Sequence, residues 1–124
     1  MMAMGNPLPA SFEKSARLRA APEFQAVFQQ GLKSSGVFFR VYFLAKPPAT
    51  GARLGLAVPK KAVPLAHTRN RLKRLCREYF RQHRSKPSGD YVLVAQSRAR
   101  TADNRAVIDE LHRLFSAINP PDNL

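Results

Sequence analysis

Between residues 68 and 84, apolar side chains recur at i, i+3, i+4, i+7 and i+8: Leu72, Leu75, Cys76, Tyr79 and Phe80. That spacing predicts an α-helix with one apolar stripe. Arg69, Asn70, Lys73, Arg74, Arg77, Arg81 and Arg84 fall on the opposite side. Thr68 is the expected N-cap. Upstream, Val37 to Ala45 (VFFRVYFLA) has the β-branched and aromatic composition of a strand. Val37, Phe39, Val41 and Phe43 then point one way, and Phe38, Arg40, Tyr42 and Leu44 the other. The first set reads as core. The second mixes rings with a cation, which suits a surface that meets RNA.

Arg53 to Val58 and Tyr91 to Ala95 predict two further strands, the latter apolar throughout and therefore central. Pro22 to Gln30 predicts a short helix with Phe24, Val27 and Phe28 on one face and Gly31 as its stop. A last helix begins at a Thr101 or Asp103 cap, carries the stripe Val107, Leu111, Leu114, Phe115 and Ile118, and ends at Pro120-Pro121. On that helix Asp109 and Glu110 are expected to face solvent. The order is helix, strand, strand, basic helix, strand, helix. It predicts an α+β sandwich with helices mainly on one face of the sheet. Residues 1–11 read as a loose tail, 12–119 as a single domain and 120–124 as a short tail. Lys14, Arg17 and Arg19 form a short basic arm.

Charge changes this picture from a generic sandwich to a binder of polyanions. The 124 residues carry a formal net charge of +13, and 44% are hydrophobic, enough for a core. Residues 68–84 hold seven Arg or Lys against one acid, Glu78. Like charges at i,i+4, as in Arg69, Lys73, Arg77 and Arg81, weaken an isolated helix. A solvated surface helix normally mixes its signs. The single cysteine, Cys76, lies on the apolar stripe and excludes an internal disulfide framework. Such usage suits a cytoplasmic protein. No apolar run is long enough to span a membrane, and the first residues lack the pattern of a signal peptide.

Catalytic chemistry is hard to find in the chain. His67, His83 and His112 are far apart in sequence, without metal-ligand spacing. Neither a phosphate-cradling glycine motif nor a nucleophile elbow occurs. The eight acids are scattered, whereas two-metal nucleases need clustered carboxylates. His67, just before the basic helix, is a general-base candidate, but it reads more simply as a loop or capping residue.

The run RNRLKRLCRE (Arg69 to Glu78), following LGLAVPKK (Leu54 to Lys61), resembles the protein subunit family of bacterial ribonuclease P. Phe24-x-x-Val27-Phe28-x-x-Gly31 and the Gly89 to Ala95 strand support the resemblance, which covers roughly residues 13–118. It implies a fold like the second domain of ribosomal protein S5, with a left-handed crossover through the basic helix. It implies a ribonucleoprotein endonuclease that removes the 5′ leader of precursor tRNA. The catalytic RNA subunit would carry the active site and its Mg²⁺, with no dedicated metal site, small-molecule cofactor or protein nucleophile in this chain. By motif position, Phe24, Phe28 and Tyr42, with Arg40 beside them, would line a leader groove between the first helix and the sheet. Asn70, Lys73 and Arg77 would meet leader or nearby phosphates. Arg69, Arg71, Arg74 and Arg81, with Lys60 and Lys61, would contact the RNA subunit or the junction. A ribosomal or other structural RNA-binding protein of similar fold would explain the charge and the element order but not the aromatic face. A DNA-binding or membrane-surface helix would explain only the charge.

Overall fold

A computed structural model describes residue 17, residues 21–83 and residues 86–118. The tail over residues 1–11, Lys14 and Arg19 of the basic arm, Arg84, and the Pro120-Pro121 stop lie outside the described residues. The elements run α1 (Ala21–Gln30), β1 (Leu32–Ser35), β2 (Phe39–Ala45), β3 (Ala52–Ala57), α2 (Ala66–Gln82), β4 (Gly89–Ala95) and α3 (Asn104–Ile118). Short 3-10 turns over Pro48–Thr50 and Ser97–Thr101 fill two of the connections. The sheet has four strands in the order β1-β2-β4-β3. β1 and β4 both pair antiparallel with β2, and β3 pairs parallel with β4. Parallel neighbours need a long crossover, and α2 supplies it.

β1 is the strand that pattern reading misses. Leu32-Lys33-Ser34-Ser35 has neither alternation nor β-branched content, and it is largely exposed at the sheet edge. Its partner makes it a strand: Leu32 to Ser35 register against Phe43 to Arg40 of β2. Gly31 permits the abrupt change from α1 to β1. A Cβ there would sit 2.6 Å from the Val27 carbonyl oxygen and 2.8 Å from that of Phe43.

Two cores flank the sheet. On one face Phe39, Val41, Phe43, Leu54, Tyr91 and Leu93 pack with the stripes of α2 and α3. Tyr91 lies at the centre, stacked on Phe115 at 5.5 Å and met edge-on by Phe80 at 5.4 Å. On the other face Val27 of α1 packs on Val92, bordered by Phe24, Tyr42, Leu44 and Val94. β4 is buried on both sides, as its unbroken apolar run predicts.

Four expectations need correction. Val37 does not belong to the core face with Phe39, Val41 and Phe43: it precedes β2 and is 46% exposed. Thr68 is not the N-cap of the basic helix: Leu65 occupies that position in extended conformation without a side-chain cap bond, and Thr68 is buried one turn inside. Phe38 does not share the outer face with Arg40 and Tyr42. It precedes β2 and packs against the main core. Glu110 does not face solvent but is fully buried. Of the two candidate caps for α3, Asp103 is the cap, accepting the Ala106 N–H at 2.8 Å.

Candidate nucleic-acid interface

The alternation of β2 decides what the sheet offers on the α1 side. Phe39, Val41 and Phe43 are buried in the main core, so Arg40, Tyr42 and Leu44 emerge on the opposite face. α1 crosses that face from β3 to β2, with Glu23 bonded to Arg53 and Phe28 against Tyr42. Tyr42 meets Phe28 edge-on at 4.9 Å, and Phe28 lies 6.4 Å from Phe24. Phe28 remains 42% exposed, while Phe24 and Tyr42 are half-buried. Rings that brace one another and still show a face to water make a stacking surface for bases.

Arg40 is exposed next to this aromatic set, registered opposite Val94. Beyond it, at the end of the sheet, an open cleft of about 510 Å³ is lined by Val37, Arg40, Pro59, Val94, Gln96 and Arg98. Lys60 and Lys61 sit exposed on the adjoining turn. That turn is closed by the Pro59 carbonyl, which accepts the N–H groups of Ala62 and Val63 at 3.0 and 2.9 Å. Fully buried Val63 anchors it to the core.

α2 commits one side to the core and presents the other as cations. Leu72, Cys76, Tyr79 and Phe80 are buried, and Leu75 is packed at their edge. Asn70 and Arg74 are exposed and Lys73 and Arg77 half-buried. Among the described residues, the side chains of Asn70, Lys73 and Arg74 form no hydrogen bond or ion pair, so they are available to an outside partner. Three other cations of the helix are engaged within the chain. Arg69 donates to the carbonyls of Val63 (3.0 Å) and Pro64 (2.7 Å), which holds the loop before the helix. Arg71 donates to Asn104 Oδ1 at 2.6 Å and to the Ala102 carbonyl at 3.0 Å, which ties α2 to the start of α3. Arg81 pairs with Glu78.

The Arg77 guanidinium is held below its ordinary pKa by desolvation and then by repulsion from Arg17. Arg17 bridges to Leu54 on the edge of β3, so two cations crowd the seam between that edge and α2. An anion relieves such crowding. Burial pushes the Cys76 thiol up to about 12, against a smaller pull from Arg77. A thiol so raised is inert as a nucleophile or ligand.

Two clusters escape a reading by sequence. Arg53 forks onto Asp90 and reaches Glu23 at 3.1 Å, pinning the first turn of α1 to the sheet. The available signal was a charged Asp90 in an otherwise apolar strand, since a buried charge requires a partner. His83 and His112, distant in sequence, come together across α2 and α3, with ring centroids 6.5 Å apart and Tyr79 hydroxyl 3.2 Å from His112 Nδ1. Desolvation, followed by Lys86 and His112, lowers the His83 pKa. His67 is exposed on the first turn of α2. Among the described residues, no group of three or more His, Cys, Asp or Glu comes together to hold a metal ion.

A small α+β sandwich with a cationic helix on one flank and partly exposed aromatic rings on the opposite face of its sheet defines an RNA-binding protein. The family model described as Ribonuclease P matches residues 12–119. The ribonuclease P protein component of Vibrio cholerae is 34% identical over 116 residues, covering 90% of this chain and 94% of that protein. That of Salmonella arizonae is 39% identical over 110 residues, covering 85% and 88%. Among solved structures, the Staphylococcus aureus RNase P protein superposes with a TM-score of 0.78 at 27% identity, covering 84% of this chain and 95% of that one. The Thermotoga maritima RNase P protein gives a TM-score of 0.72 at 30% identity, covering 83% and 97%. The chain belongs to the ribonuclease P protein family. Membership gives it a role in a ribonuclease complex, in tRNA processing, with an RNA partner. No helix among the described residues is long and apolar enough to cross a membrane.

Proposed function

We propose that the chain works in the cytoplasm on two RNAs at once, through two surfaces. The α1 side of the sheet takes the 5′ leader of precursor tRNA, and the cationic side of α2 docks on the catalytic RNA subunit. The observation that carries this reading is the braced pair Phe28 and Tyr42, edge-on at 4.9 Å with Phe28 open to solvent. Stacking on such rings contributes about 1–3 kcal/mol per base and tolerates any base, as a reader of many leaders requires. Arg40, Lys73 and Arg77 would neutralise leader phosphates. Arg74, Lys60 and Lys61, with the outward parts of Arg69, Arg71 and Arg81, would meet the RNA subunit.

Hydrolysis of the phosphodiester belongs, in this proposal, to the RNA subunit. Mg²⁺ there would activate the attacking water and stabilise the leaving oxygen. The described residues of this chain do not form a donor set for such an ion, so no step is assigned to a protein-bound metal. The chain's contribution is substrate affinity and phosphate neutralisation. Reconstitution with the catalytic RNA tests it: precursor-tRNA cleavage at low Mg²⁺ should rise on adding the protein. The gain should shrink as the leader is shortened to one or two nucleotides. A purely structural RNA-binding role predicts no dependence on leader length.

A further inference from the structure

Glu110 of α3 is fully buried and contributes nothing to the outer surface. Its carboxylate is directed at the β1–β2 turn. Oε1 accepts the Val37 N–H at 2.8 Å, and Oε2 accepts those of Phe38 and Phe39 at 2.7 and 2.8 Å. Successive backbone N–H groups converging on one anion form a nest, here filled by a side chain of the same molecule. Arg113 approaches Oε1 at 3.5 Å from the solvent side. Gly36 completes the fit, because a Cβ there would lie 2.4 Å from the Glu110 carboxyl carbon. The turn is also tied to the end of β4: Gln96 donates its backbone N–H to Phe38 and its amide to Gly36, both at 2.8 Å.

β2 begins at Phe39, the last residue the carboxylate holds. Side chains alternate along a strand, so the placing of Phe39 decides the side on which every later residue emerges. With Phe39 held in the core, Arg40 and Tyr42 fall on the cleft side. A slip of one residue would turn Arg40 and Tyr42 into the core and Phe39 outward. We infer that Glu110 is a positioning residue for the RNA cleft: from the far side of the sheet it locks the register that presents Arg40 and Tyr42. This rests on the leader-groove reading given above, and it adds a residue that touches no RNA.

Glu110→Gln tests it, since the amide keeps the size but turns one acceptor into a donor facing N–H groups. Gly36→Ala is the companion variant, displacing the carboxylate without changing charge, and covers the case in which Glu110→Gln does not fold. Both are compared with wild type and Tyr42→Ala in reconstituted holoenzyme. Amide hydrogen exchange of Val37 to Phe39 should accelerate by about tenfold or more in the folded variant. The affinity advantage of a long leader over a one-nucleotide leader should fall by about tenfold. Affinity for the catalytic RNA should stay within about twofold, because α2 is untouched. Unchanged exchange at these amides overturns the lock whatever the leader does. So does a full leader advantage in a folded variant when Tyr42→Ala has lost it, and so does an equal loss of affinity for both RNAs. If Tyr42→Ala itself keeps the advantage, the groove reading fails and this inference falls with it.

Discussion

The Arg53 guanidinium clasps Asp90 through two parallel hydrogen bonds of 2.9 Å, Nε to Oδ1 and Nη2 to Oδ2. The two residues are register partners on adjacent parallel strands, and Asp90 is 2% exposed. Bonding to Asp90 raises the Arg53 pKa against the opposing effect of burial. The third arm of the same guanidinium holds Glu23, so a single side chain connects β3, β4 and α1. Arg53→Ala would leave a buried carboxylate without its partner, at a cost of about 3 kcal/mol. Thermal unfolding should show a drop on the order of 10 °C. Arg53→Lys should recover only part of it, because an ammonium cannot reproduce the fork.

Phe28 and Tyr42 separate function from stability. Phe28 is 42% exposed, so Phe28→Ala should lower stability by about 1 kcal/mol or less. Leader-dependent affinity for precursor tRNA should fall by about 1–3 kcal/mol in Phe28→Ala and in Tyr42→Ala. Equilibrium binding with long and one-nucleotide leaders, beside urea unfolding of the same variants, distinguishes a lost stacking surface from a loosened α1.

The cations of α2 divide into two groups with opposite signatures. Lys73→Ala and Arg74→Ala remove side chains that form no hydrogen bond or ion pair among the described residues, so stability should change by about 0.5 kcal/mol or less. The log–log salt slope of RNA binding should flatten by about one unit or less for each. Arg69→Ala and Arg71→Ala break hydrogen bonds to the loops around 63–64 and 102–104 and should cost about 1–2 kcal/mol of stability. A salt titration combined with a melting curve resolves the two groups.

Cys76 links stability to alkaline pH. Its thiol is raised from an ordinary 9.0 to about 12 by burial. The folded state therefore binds a proton that the unfolded state releases above 9.0. Stability from this group is fully present below that value and declines as pH rises toward about 12. Denaturant midpoints between pH 8 and about 10 should fall more for wild type than for Cys76→Ala. Alkylation of the native protein at neutral pH should be slow and should become fast on unfolding.

Much of this was legible in the order of residues. The apolar spacing of Leu72, Leu75, Cys76, Tyr79 and Phe80 foretold which side of α2 is buried, because a helix repeats regularly along its axis. The same logic separated Phe39, Val41 and Phe43 from Arg40 and Tyr42. Family membership was legible too, because Arg69-Asn70-Arg71 and its neighbours form a local motif. Interactions across the fold were not legible. Leu32-Lys33-Ser34-Ser35 becomes a strand only because β2 offers it an edge. Glu110 looks like a surface acid beside Asp109 until three N–H groups some seventy positions away converge on it. Arg69 and Arg71 look like free cations until the loops they hold are in place.

Periodicity and net charge are properties of the chain itself, so the sequence alone determined the apolar stripes of its helices and the +13 charge that suits a polyanion partner. Whether a polar side chain faces RNA or satisfies a backbone group depends on what packs beside it. The tertiary structure alone decided that, and with it which of the many cations remain available to a partner.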